Sequence, residues 1–109
     1  MSAAANPARG EAALLVGGEP VRLRPSFEAL VAAEEELGPL LALVERAAAG
    51  GLRVAEMAAL FWHCANPRPR GLSREAIGSA IAERGLAGVA PVLRLLLAQI
   101  LQGGSTGSP

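Results

Sequence analysis

Lysine, aspartate and tyrosine are absent from the 109-residue chain, and cysteine, histidine and tryptophan occur once each. Each absence removes a class of chemistry. One cysteine, Cys64, excludes an intramolecular disulfide and an all-cysteine metal site, and it suits a reducing compartment. One histidine, His63, and no aspartate leave too few ligands for a closed metal centre. Ten arginines balance ten glutamates, so no net field draws the chain to nucleic acid or to an anionic membrane. Long apolar runs are missing near the start: Ala12 to Val16 falls far short of the roughly 20 residues of a membrane span, and no signal-peptide core is present. The expectation is a soluble, unprocessed protein of the cytoplasm. What the chain has is alanine and leucine: 51% of residues are apolar, yet Phe27, Phe61 and Trp62 are the only aromatics. That composition suits one small, mostly helical core rather than two domains.

The order of residues predicts an α+β fold, a β-hairpin followed by four to five short helices packed as a small bundle. Residues 1–9 and 103–109 are small or polar and are expected to be disordered tails around a single domain at 10–102. Gly17-Gly18 joins two short strands. Pairing Val16 with Glu19 sets Leu14 against Val21 and Ala12 against Leu23 on an apolar face, with Ala13–Arg22 and Glu11–Arg24 on the wet one. Pro20 then turns its missing N–H to the outer edge. Ser26 caps a first helix ending at Gly38, with Phe27, Leu30, Val31 and Leu37 as its apolar stripe. A second helix spans Pro39 to Ala49 with Leu40, Leu43, Val44 and Ala47 inward. A third runs from about Arg53 to Ala65; its stripe is Val54, Met57, Ala58, Phe61 and Ala65, and Leu60, Trp62 and Cys64 carry apolar character round the cylinder. Pro67 and Pro69 impose a loop over Asn66 to Gly71. Ser73 caps a fourth helix to Arg84 with Ile77, Ala80 and Ile81 inward, and a last helix starts near Ala87 or at Pro91 and continues to about Gln102.

No catalytic constellation emerges. His63 and Cys64 are adjacent and so project about 100° apart on a helix, which separates a thiol from its base. Ser26 and Ser73 are caps, and no Gly-x-Ser-x-Gly elbow, phosphate loop or dinucleotide motif is present. Glu34 to Glu36 read as a solvated helix end, and Arg68, Arg70 and Arg74 as a solvated loop. The feature that points outward is the apolar excess of the third and last helices, for which a short chain has little interior. Leu60, Trp62, Leu96 and Ile100 are the candidate partner-binding residues. No cofactor, metal or small-molecule substrate is implied, and the chain is not expected to be an enzyme.

The stretch Ala5 to Glu11, the strand Ala12 to Val16 with its Gly-Gly turn, Val21-Arg22-Leu23, the helix start Ser26 to Leu30 and its end Glu36-Leu37-Gly38 together resemble the gene transfer agent tail protein family. That family is classed with phage tail assembly chaperones and is also labelled as tail tube proteins. The likeness continues more loosely through Leu40 to Leu43 and Leu52 to Trp62, and does not include the Pro67 to Gly71 loop. It implies a role in building a long tail in the bacterial cytoplasm, with the tape-measure protein, the tail tube subunit or further copies of the chain as partners. Three functions follow in order: a chaperone that covers the tape-measure protein during tube polymerisation, a structural tube or terminator component kept in the particle, and a small helical DNA-binding regulator. Gly78 and Ser79 on the fourth helix offer little with which to read bases, which sets the last reading lowest.

Overall fold

A computed structural model describes residues 12–103. The expected tail at 1–9, all but Gly103 of the tail at 103–109, and Glu11 lie outside the described residues. The elements are β1 (Ala12–Val16), β2 (Glu19–Leu23), α1 (Phe27–Leu37), α2 (Leu40–Ala48), α3 (Val54–Cys64), α4 (Arg74–Arg84) and α5 (Leu86–Gln102). The fold is α+β: one antiparallel hairpin and five helices.

The hairpin has the register its sequence predicts, Val16 opposite Glu19, Leu14 opposite Val21 and Ala12 opposite Leu23. Gly17 and Gly18 both take positive φ, 59° and 84°, which a two-residue turn matching strand twist requires. Ala12, Leu14, Val21 and Leu23 are buried, β1 packing on α4 and α5 and β2 on α3. Pro20, opposite Leu15, is exposed. Beyond it the outer edge of β2 is closed by the chain leaving α3. The Arg24 N–H donates to the Cys64 carbonyl at 2.7 Å, and the Asn66 N–H donates to the Arg22 carbonyl at 3.0 Å. Hydropathy patterning carries no signal for this contact, because it is made through backbone groups 40 residues or more apart in the chain.

Caps set the helix boundaries. The Ser26 hydroxyl accepts from the Ala29 N–H at 3.2 Å and the Ser73 hydroxyl from the Ala76 N–H at 3.0 Å, each satisfying a donor that the first turn leaves free. Gly38 and Gly85 end α1 and α4 with φ of 89° and 80°. In α5, Pro91 lies inside the helix on its exposed side, and the helix begins at Leu86, next to the first of its two expected starts.

Two expected stripes are redrawn. On α1 the buried residues are Ala29 and Ala33, whereas Phe27 is 82% and Val31 38% exposed. The two alanines, one turn apart, form a low ridge where α1 meets α3. Leu30 and Leu37 are half-buried against the core as expected, whereas Phe27 and Val31, at about 100° per residue, lie on the far side. On α3, Met57, Phe61 and Ala65 are buried as predicted, but Val54 is exposed, and Leu60 and Cys64 are fully buried. The reason is placement: α3 packs on α1, α4 and β2 at once, so its apolar excess fills the interior. Leu60, Phe61, Ile77, Ile81, Val89 and Leu96 meet Leu14, Leu23 and Leu43 in one core.

Candidate functional surface

Of the four residues singled out as partner-binding, Leu60 and Leu96 are 0% exposed. They belong to the core, and no partner reaches them while the domain is closed. Leu60 is enclosed because α3 is the central helix, and Leu96 because α5 lies across β1 and α4. Trp62 and Ile100 are half-buried against the same core. Gln99, next to Ile100 in the chain, is buried, and its Nε2 has no partner among the described residues.

The exposed part of Trp62 is roofed by arginine. The Arg68 guanidinium lies 4.1 Å from the ring centroid, its Nε donating to the Trp62 carbonyl at 3.3 Å, and Arg74 lies 5.9 Å away. A guanidinium over an indole face contributes about 0.5–1 kcal/mol at an exposed site. Arg74 also clasps Glu36 through two hydrogen bonds of 2.6 and 2.7 Å, and His63 Nε2 lies 2.8 Å from the same carboxylate. Arg74, then His63, hold the Glu36 carboxyl down at about 2. This cluster ties the end of α1 to the end of α3 and the start of α4. Sequence reading assigned Glu36, Arg74 and His63 separately to solvent or structure; separations of 27 and 38 residues leave no periodic trace.

A second clamp lies at the opposite end of α3. Arg46 makes two hydrogen bonds to Glu56 of 2.9 and 2.8 Å, and Glu56 also accepts from the Arg53 N–H at 3.0 Å. Arg46, then Arg53, lower the Glu56 carboxyl to about 2. The Glu34 carboxylate accepts from the Leu40 N–H at 3.0 Å, capping α2. Two of three glutamates in the Glu34–Glu36 run therefore have structural partners.

Between the start of α1 and the end of α3 is a cleft of about 300 Å³ lined by Ser26, Glu28, Ala32, His63, Asn66 and Arg68, among others. Cys64, next to His63, does not enter it: the thiol is 0% exposed and burial pushes it up to about 12, so it carries no thiolate at neutral pH. Among the described residues no three His, Cys or Glu side chains are grouped to hold a metal, and no single helix is long and apolar enough to cross a membrane. What the surface does offer is apolar side chains. Phe27 of α1, Leu41 of α2, and Leu86 and Leu101 of α5 are each more than half exposed.

No curated protein and no solved structure matches the chain. A family model described as "Phage tail tube protein, GTA-gp10" matches residues 9–103, from just before the hairpin to the end of α5. Hairpin, caps and all five helices fall within that span, and the chain belongs to this gene transfer agent and phage tail family, with a tail-related structural role.

Proposed function

We propose that the chain is a non-enzymatic tail assembly chaperone that acts in the bacterial cytoplasm. It covers apolar stripes of the tape-measure protein until tube subunits replace it. The observation that supports this reading is the set of large apolar side chains left outside a core that is otherwise closed, with Phe27 82%, Leu41 63%, and Leu86 and Leu101 55% exposed. Exposed apolar side chains favour contact with a partner where they stand together, as Phe27 and Val31 do one turn apart on α1. A cover that must later leave works best through modest affinity per copy and many copies along the tape.

A second reading keeps the protein in the particle as a tube or terminator component. It draws on the outer edge of β1, where Ala13 and Leu15 have no backbone partner among the described residues, since an open edge accepts a neighbour's strand. A sheet of two strands is little material for a tube wall, which places this reading second. Mass spectrometry of purified particles beside the producing-cell lysate, with a tag on this chain, separates the two. Absence from particles with recovery of the tape-measure protein is the expected result. Stoichiometric presence in particles would establish the structural reading instead.

A further inference from the structure

We infer that the outward face of α1, centred on Phe27 and Val31, docks an amphipathic helix whose apolar stripe is bordered by arginine or lysine. This deepens the chaperone reading by naming the partner's chemistry, and it rests on that reading for the partner's identity as the tape-measure protein.

Phe27 and Val31 are one turn apart and so stand together on the helix surface, opposite the Ala29–Ala33 ridge that meets α3. The chain has two phenylalanines; Phe61 is fully buried and Phe27 is 82% exposed. The rim of this face is acidic. α1 carries Glu28, Glu34, Glu35 and Glu36 and no basic residue. At about 100° per residue, Glu28 and Glu35 flank the Phe27–Val31 ridge on one side and Glu34 borders it on the other. Glu36 is ion-paired with Arg74 and hydrogen-bonded to His63, whereas Glu28 and Glu35 have no ion pair among the described residues. An apolar ridge edged with carboxylates that form no ion pair among the described residues selects its occupant. It repels a second copy of α1, nucleic acid and an anionic lipid surface, and it complements a helix with apolar residues at i, i+3 and i+4 between cationic flanks.

The test uses the full chain and two labelled synthetic helices with identical leucine stripes, one flanked by arginine and one by glutamate, read by fluorescence anisotropy. The chain is expected to bind the arginine-flanked helix at least about tenfold tighter at low salt, the preference shrinking as salt rises. Phe27→Ser with Val31→Ser should remove binding while leaving circular dichroism unchanged and thermal melting only slightly lowered, because Phe27 is 82% and Val31 38% exposed. Glu28→Lys with Glu35→Lys should transfer the preference to the glutamate-flanked helix. Equal binding of both helices, undiminished binding by the Phe27/Val31 variant, or a self-association that the same variant abolishes would each overturn the assignment. Tagged chains recovered from producing cells report on the parent reading separately. Tape-measure recovery that survives Phe27→Ser rejects this surface and leaves the chaperone reading standing. Wild-type chain that recovers no tape-measure protein yet prefers the arginine-flanked helix rejects the chaperone reading and supports the surface.

Discussion

Helices α1 and α3 are both 11 residues long and pack against one another, but they use their apolar residues in opposite ways. α3 buries Met57, Ala59, Leu60, Phe61 and Cys64; α1 buries only Ala29 and Ala33 and turns Phe27 and Val31 to water. Length does not separate them, and the greater hydropathy of α3 does not by itself say which residues are covered. Position does: α3 is enclosed by α1, α4 and β2, whereas α1 touches the bundle along one side and leaves the other open. An apolar residue on a central helix is thus core by default. On a peripheral helix the side that packs is chosen by which residues let the backbones approach, and here small alanines outcompete a phenylalanine.

The sharpest break of this comparison is on the enclosed side. Leu96→Glu should abolish the cooperative unfolding transition, since it places an unpaired charge where exposure is 0%, and Phe61→Ala should cost about 3–5 kcal/mol in denaturant unfolding. Ala33→Leu comes next. With Ala33 fully buried in the α1–α3 contact, the added branch should cost about 1–3 kcal/mol through overpacking, and a neutral outcome would show that α1 sits more loosely than the ridge implies. Ser26→Ala and Ser73→Ala should each lower stability by about 1 kcal/mol, the loss of one cap.

Smaller still is the acid response. Glu36 and Glu56 have folded-state carboxyls held at about 2 against an ordinary 4.5. Their pairs with Arg74 and Arg46 therefore stabilise fully above pH 4.5 and are lost as pH falls from there towards 2. Thermal melting from pH 6 down to 2 should show a declining midpoint, and Glu36→Gln with Glu56→Gln should flatten that decline while lowering the neutral-pH plateau. Both pairs are solvent-accessible, so the change is modest. Last, Phe27→Ala should shift stability by less than about 0.5 kcal/mol. A loss comparable to Phe61→Ala would erase the contrast between the two helices.

Much of the fold is written in local sequence. The Gly17-Gly18 turn, the hairpin register, the Ser26 and Ser73 caps and the Gly38 and Gly85 ends follow from residues within a few positions of where they act, because turns and caps are short-range physics. The inward residues of α2 and α4 are legible too: Leu40, Leu43 and Val44, and Ile77, Ala80 and Ile81, are buried. The partner-binding assignment to Leu60 and Leu96 was the misreading. Surplus apolar residues on a helix look alike whether the helix is central or exposed, and periodicity says which residues share a face without saying what covers it. The tail family was also legible, in the first forty residues, and a match over 9–103 carries it.

By itself, then, the sequence determined the class of the fold, the places where most elements start and stop, and membership of a tail protein family, all properties carried by neighbouring residues. Only the tertiary structure decided which apolar residues are core and which are surface, that Glu36, His63 and Arg74 meet, and that Arg68 shelters Trp62. Those outcomes depend on which helix lies at the centre, and the centre is set by contacts between segments far apart along the chain.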